Sequence, residues 1–131
     1  MLVIDAANVI GSRPDGWWRD RPGAARTFTD RVRAGVADGL LDPPVTIVLE
    51  GQSRRGVTED DLDGVTVVHA PGEGDDTIAA VAEASHHGAI VVTADRALAE
   101  RVRTTGADVV GPGWLLQRLD QLDEPDGGEG A

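Results

Sequence analysis

A chain of 131 residues suits one domain, since single cores run to roughly 100–200 residues. It has no cysteine, which excludes disulfides and thiolate metal sites and leaves oxygen or imidazole as the donors for any metal. The formal charge of −11 argues against a simple nucleic-acid binder, because phosphate affinity normally rests on basic surface. The charge is unevenly spread. The stretch 120–131 carries five acids and no base, while 12–33 carries six Arg against three Asp. No apolar run approaches the ~20 residues that span a bilayer, and no basic-then-apolar leader opens the sequence, so a soluble, cytoplasmic protein is expected.

Leu2-Val-Ile-Asp5 is a short apolar run ending in an acid, and it predicts a buried strand. Residues 8–22, rich in Gly, Pro, Arg and Trp, predict a loop. Over 24–40, Phe28, Val32, Val36 and Leu40 recur at a helical spacing of four, and Asp42-Pro43-Pro44 stops the helix. Residues 45–49 predict a second buried strand, again followed by an acid, Glu50. A loop is expected over 51–56 and a third strand over 65–68. After Gly72-Glu-Gly-Asp-Asp76 a helix is expected over 77–86, with Asp75 as its N-cap. A fourth strand follows over 89–92, then a helix over 96–104 with Leu98 and Val102 inward, and a short fifth strand over 107–110. The last helix, over 112–122, has Pro at its first turn and Leu115, Leu119 and Leu122 on one face. Continuous Val/Ile/Leu strands alternating with helices imply a sheet covered on both faces. The expected fold is a three-layer α/β/α sandwich, Rossmann-like, with a central, mostly parallel sheet of about five strands. The domain is expected over 1–122, followed by a disordered, acidic, Gly-rich tail over 123–131.

Acids stand just past the ends of these strands: Asp5, Glu50, the Glu73/Asp75/Asp76 cluster and Asp95. Parallel strands put their C-terminal ends on one side, where open α/β sheets bind ligands. Carboxylates scattered along the chain would therefore converge. Close carboxylates resist ionisation, and a divalent cation relieves that. Oxygen donors favour Mg²⁺ or Mn²⁺. For any single acid the simpler reading remains open: loop acids are common, and Asp75 could serve only as a helix cap.

Three of these segments resemble a known family. Val3-Ile-Asp-Ala-Ala-Asn-Val9 resembles the opening motif of the PIN-like nucleases, especially the NYN branch: an apolar strand, an Asp, then an Asn three residues on. Gly74-Asp-Asp-Thr-Ile78 is similar to the central motif of that family, and Val91-Val-Thr-Ala-Asp-Arg96 to its third, a strand ending in Thr-x-Asp. Gly106-Ala-Asp-Val-Val110 matches the usual short last strand. The resemblance implies a PIN-like fold and metal-dependent hydrolysis of RNA. It implies Asp5, Asp75 and Asp95 as core metal ligands, with Asp76 substituting for or adding to them. Glu50 falls where NYN-like members often carry an acid, and Asn8 would orient the first carboxylate or a substrate phosphate. Small residues in Asp5-Ala-Ala-Asn8 depart from many relatives, which bears on substrate preference. One metal would generate hydroxide, and a second about 3.5–4 Å away would stabilise the leaving oxygen.

Trp17-Trp18 lies among Arg13, Arg19 and Arg21 in a chain with three Trp, one Phe and no Tyr. Aromatics stack bases while Arg engages phosphates, so these residues, with Arg96 beside Asp95, are candidates for the RNA surface. One Trp plugging the core and one facing outward would satisfy both roles. His69 reads as structural, and His86-His87 as a helix end suited to the dipole. Two other functions stay open: a catalytically degenerate PIN-like module that binds RNA or protein, and a metal-dependent phosphatase acting on small molecules. A homodimer and an antitoxin-type protein partner also stay open; a membrane is not expected.

Overall fold

β1 (Leu2–Asp5) is buried at every position and forms the centre of the sheet. It pairs in parallel with β2 (Val45–Leu49) on one side and with β5 (Ile90–Val92) on the other. Beyond β2 lies β4 (Val65–His69), and beyond β5 lies β6 (Asp108–Val110), both parallel to their neighbours. One further strand, β3 (Asp60–Leu62), pairs antiparallel with β4 and gives the order β3-β4-β2-β1-β5-β6. This computed structural model describes residues 1–85 and 88–124. His86, His87 and residues 125–131 of the expected tail lie outside the described residues.

Helices cover both faces, which is why the strands read as unbroken apolar runs. Successive residues of a strand point to opposite faces. Leu2 and Ile4 join Phe28 and Val32 of α2 (Arg21–Ala37) and Leu115 and Leu119 of α5 (Pro112–Asp120) in one cluster. The short α1 (Ala6–Ile10) adds Ala6 and Val9 to the same side. Val3, from the intervening position, joins Val48 and Val91 in the other cluster, with Ile78 and Ala82 of α3 (Gly74–Ala84) and Leu98 and Val102 of α4 (Arg96–Arg103). The result is the expected three-layer α/β/α sandwich. Among the described residues no helix is long and apolar enough to cross a membrane.

Several local expectations change. The sheet has six strands because Asp60–Leu62 adds an edge. All three of its residues are exposed, so it carries no apolar alternation to betray it. The signal lay in the turn: Asp63 and Gly64 both take positive φ, 53° and 84°, the two-residue Asp-Gly hairpin that matches strand twist. The acids keep this edge from pairing with another chain, and Asp60 also holds Arg33 at 2.9 Å. The supposed loop over 8–22 contains α1, ending at Ile10, and a 3-10 turn at Trp17–Arg19. α2 begins at Arg21 rather than Ala24, because Asp20 caps the Gly23 amide at 2.9 Å and Pro22 fits the first turn. α3 begins at Gly74, so Asp75 lies inside its first turn and is not the N-cap. Glu50 from the end of β2 accepts the Gly74 amide and takes over that capping role. At the other end, Asp123 falls in a 3-10 turn at Gln121–Asp123 and pairs with Arg31 at 3.1 Å.

Candidate active site

The chain leaves β1 toward α1 and α2 on one face, and leaves β5 toward α4 on the other. Adjacent parallel strands whose exits diverge leave a crevice at their C-terminal ends. Asp5 closes β1 at that point and is only 8% exposed. Its Oδ1 accepts the Asn8 amide at 3.4 Å, and its Oδ2 accepts the buried Thr93 hydroxyl at 2.9 Å. The Thr93 oxygen in turn accepts the Asp95 amide at 3.1 Å. Asn8 Oδ1 accepts the Ala94 amide at 2.7 Å, so the end of β5 is tied to the end of β1 twice.

Each acid also stands at a helix start. Asp5 precedes α1; Asp95 caps α4 through the Leu98 amide at 3.1 Å; Glu50 accepts the Gly74 amide at the start of α3; Asp75 stands in the first turn of α3. Unpaired amides and the partial positive charge of helix N-termini favour carboxylates there. That support is incomplete. Burial raises the Asp5 carboxyl to about 6, against the opposing hydrogen bonds from Thr93 and Asn8, and repulsion from Glu50 and Asp75 adds to it. Asp75 is raised too, by partial burial first, then by Asp95, Glu50 and Glu73, with Arg101 opposing. Glu50 and Asp75 thus act on Asp5, and Glu50 and Asp95 on Asp75, so Asp75 links the acids at this edge.

Asp76 is not drawn into this set. Its carboxylate is exposed and accepts from Arg101 of α4 at 2.6 Å, at a hollow between α3 and α4. Among the described residues no three acidic or histidine side chains stand together as a ready cage for an ion. The donors themselves suit a hard divalent cation, being carboxylates that repel one another. As placed, Asp5, Glu50 and Asp95 each direct an oxygen to a backbone amide.

The basic segment divides. Trp17 is half-buried, with Trp18 edge-on to it at 5.9 Å and the Arg21 guanidinium 5.1 Å from its ring centre. Trp17 and Arg21 line a groove of about 430 Å³ together with Glu50 and Glu73, so they border the acidic group. Trp18 is 49% exposed, with Arg19 at 5.8 Å from its ring. Arg13 does not line that groove: it borders a neighbouring hollow of about 340 Å³ with Trp17 and forms a two-pronged pair with Asp120 of α5 at 3.1 and 2.8 Å, which raises its own pKa and lowers that of Asp120. Arg96 is exposed beside Asp95 and lines a separate hollow with Thr93, Arg103 and Gly111. His69 bonds the Val57 carbonyl at 2.7 Å and ties β4 to the preceding loop.

In the sequence Thr93 stands only as part of a motif, with no task of its own. Its position two residues before Asp95, and in line with Asp5 across the sheet, was the available signal. Arg101 had no signal, because only tertiary placement brings it near Asp75 and Asp76, and Gln52 stands two residues after Glu50 but in no motif. No protein-family model and no curated protein matches the chain. In fold the chain is similar to the crystal structure of Rae1 (YacP) from Bacillus subtilis, with a TM-score of 0.69 and 18% identity. The match covers 93% of this chain and 76% of that one, and it shows the fold: an α/β/α sandwich around a mostly parallel sheet.

Proposed function

We propose that the chain is a metal-dependent ribonuclease of the NYN branch of the PIN-like nucleases, hydrolysing phosphodiester bonds at the acidic group. The observation that carries this is Asp5: nearly buried at the end of the central strand, yet within the repulsive field of Glu50 and Asp75. Burying a carboxylate beside other acids costs stability even with two hydrogen bonds, and a bound cation would offset that cost. Asp5, Asp75 and Asp95 would hold Mg²⁺ or Mn²⁺, with Glu50 beside them. When bound, such a cation lowers the pKa of water and stabilises charge on a leaving oxygen. Asn8 fixes the Ala94 backbone and so the approach to Asp95. RNA is the favoured substrate because Trp17 and Arg21, a stacking surface with a guanidinium, border the groove that Glu50 also lines.

One observation favours a second reading, a binding module of the same fold. Oxygens of Asp5, Glu50 and Asp95 already bond to amides, and the described residues offer no ready cage. A single experiment separates the two. End-labelled single-stranded and hairpin RNA is incubated with Mn²⁺, Mg²⁺ or EDTA, beside an Asp5→Asn variant. Cleavage that needs the cation and disappears in Asp5→Asn supports the nuclease. RNA that is bound but left intact under every condition supports the module.

A further inference from the structure

Resting on the ribonuclease reading, we infer that the groove between Trp17 and Glu73 is a nucleobase subsite that selects bases bearing an exocyclic amino group. Its volume, about 430 Å³, accommodates a base with room for its sugar. Ala7 and Ile10 of α1 supply an apolar floor and Trp17 an aromatic wall. That wall is held in place: Trp18 packs edge-on against it, and the backbone of Gly11 lies beside its six-membered ring. A fixed aromatic surface loses little freedom when a base stacks on it.

The polar rim is one-sided in its chemistry. Glu73 makes no side-chain cap to its own helix, so its carboxylate is not used up there, and it can only accept hydrogen bonds. Glu50 contributes a second carboxylate. Gln52, exposed on the 3-10 turn Gly51–Gly56, adds an amide that accepts and donates. Adenine and cytosine present an amino donor beside a ring-nitrogen acceptor on the pairing edge, and guanine an amino donor beside its N1–H. Uracil presents there a single N3–H flanked by two carbonyls, and a carboxylate that accepts from it is held against both carbonyl oxygens. Arg21, the one cation of the groove, rests over the Trp17 ring at 5.1 Å, and a base that stacks there displaces its guanidinium toward the sugar–phosphate side. Because Glu50 belongs to both the groove and the acidic group, a base seated here sets which phosphate lies at the acids.

The test measures binding apart from cleavage. Fluorescently labelled hexa-adenylate, hexacytidylate and hexauridylate are titrated with the full chain in EDTA. The first two should bind at least about fivefold tighter than the third, a difference one well-placed polar contact supplies. Gln52→Ala, at an exposed position, should erode that preference. Glu73→Gln gives the rim a donor and should raise hexauridylate affinity severalfold. Trp17→Ala should weaken all three by roughly tenfold, with partial recovery in Trp17→Phe. Equal affinity for the three RNAs, unmoved by Gln52→Ala and Glu73→Gln, overturns the subsite, as does no measurable binding of any. Cleavage in Mn²⁺ is scored separately. Preference without cleavage removes the nuclease and keeps the subsite; cleavage without preference does the reverse.

Discussion

The Thr93 hydroxyl donates to Asp5 Oδ2 at 2.9 Å while its oxygen accepts the Asp95 amide at 3.1 Å. One buried hydroxyl therefore joins two acids that are ninety positions apart in the chain and orients the first by way of the second's backbone. A hydrogen bond given to a carboxylate stabilises its charged form. Thr93→Val keeps the shape and removes the donor. The variant should raise the Asp5 pKa further above about 6. Above that range it should also lose about 1.5–3 kcal/mol of stability, the worth of a hydrogen bond to a charged group. Carbon-13 titration of the Asp5 carboxyl reads the first effect and urea melting the second. An unshifted Asp5 titration in a folded Thr93→Val would remove Thr93 from this role.

The raised Asp5 pKa sets a pH dependence whose sign is unusual for an acid. The folded value is about 6 and the ordinary value 3.8, so between them the folded state binds more protons than the unfolded state. Stability conferred by the neutral carboxyl is present below the ordinary value and is lost as pH rises to about 6. At pH 8 the cost is on the order of 3 kcal/mol, because each pH unit separating the two values is worth about 1.4 kcal/mol. Asp75 is raised as well and acts in the same direction. Without metal, Asp5→Asn should be more stable than the wild type at pH 8, by several degrees in melting temperature, and the gap should close toward pH 4. A wild type that is the more stable protein at pH 8 would mean that Asp5 is not penalised by its site.

Cation binding should offset that penalty by mass action. Mn²⁺ in excess should raise the melting temperature of the wild type and barely move that of Asp5→Asn/Asp95→Asn. Equal shifts in both proteins would place the cation elsewhere, with the acid-rich C-terminal stretch the first place to look.

The layered fold was readable because its cause is periodic. Strands covered on both faces must be apolar throughout, and helices over them must be apolar at every third or fourth position. Val3-Ile4 and Phe28/Val32 carry that signal plainly. β3 did not, because an exposed edge needs no apolar side chain; only Asp63-Gly64 announced it. Asp5, Glu50, Asp75 and Asp95 were readable as a group, since parallel strands share one C-terminal edge. What each carboxylate touches was not. Asp76, adjacent to Asp75 in sequence, is turned a further 100° or so around the helix and meets Arg101 instead. α2 and α3 start a few residues earlier than their apolar spacing suggests for a similar reason: one cap is local, Asp20, and the other, Glu50, comes from a different strand.

The same placement divides the basic segment into Arg that can meet RNA and Arg that cannot do so cheaply. Arg21 stands over Trp17 on the groove beside Glu50, and no acid lies within pairing distance of it among the described residues. Arg13 is already engaged twice by Asp120, on the face formed with α5. To reach a phosphate it must give up that partner, so its net gain is small. Arg21→Ala should therefore weaken RNA binding at all sequences and lower the salt dependence by roughly one counterion. Arg13→Ala should change both much less. Asp120→Asn removes the competing carboxylate and should do the opposite of an Arg deletion, strengthening RNA binding most at low salt. Trp18, half exposed, should tolerate Ala with little change in melting, whereas Trp17→Ala should lower stability as well as affinity, because its half-buried ring lies close to Gly11 at the end of α1. RNA affinity measured against salt for Arg13→Ala, Arg21→Ala and Asp120→Asn, each checked for folding by melting, decides the matter. If Arg13→Ala and Arg21→Ala lose affinity and salt slope equally, the segment acts as one surface and the Asp120 pair is no restraint on it.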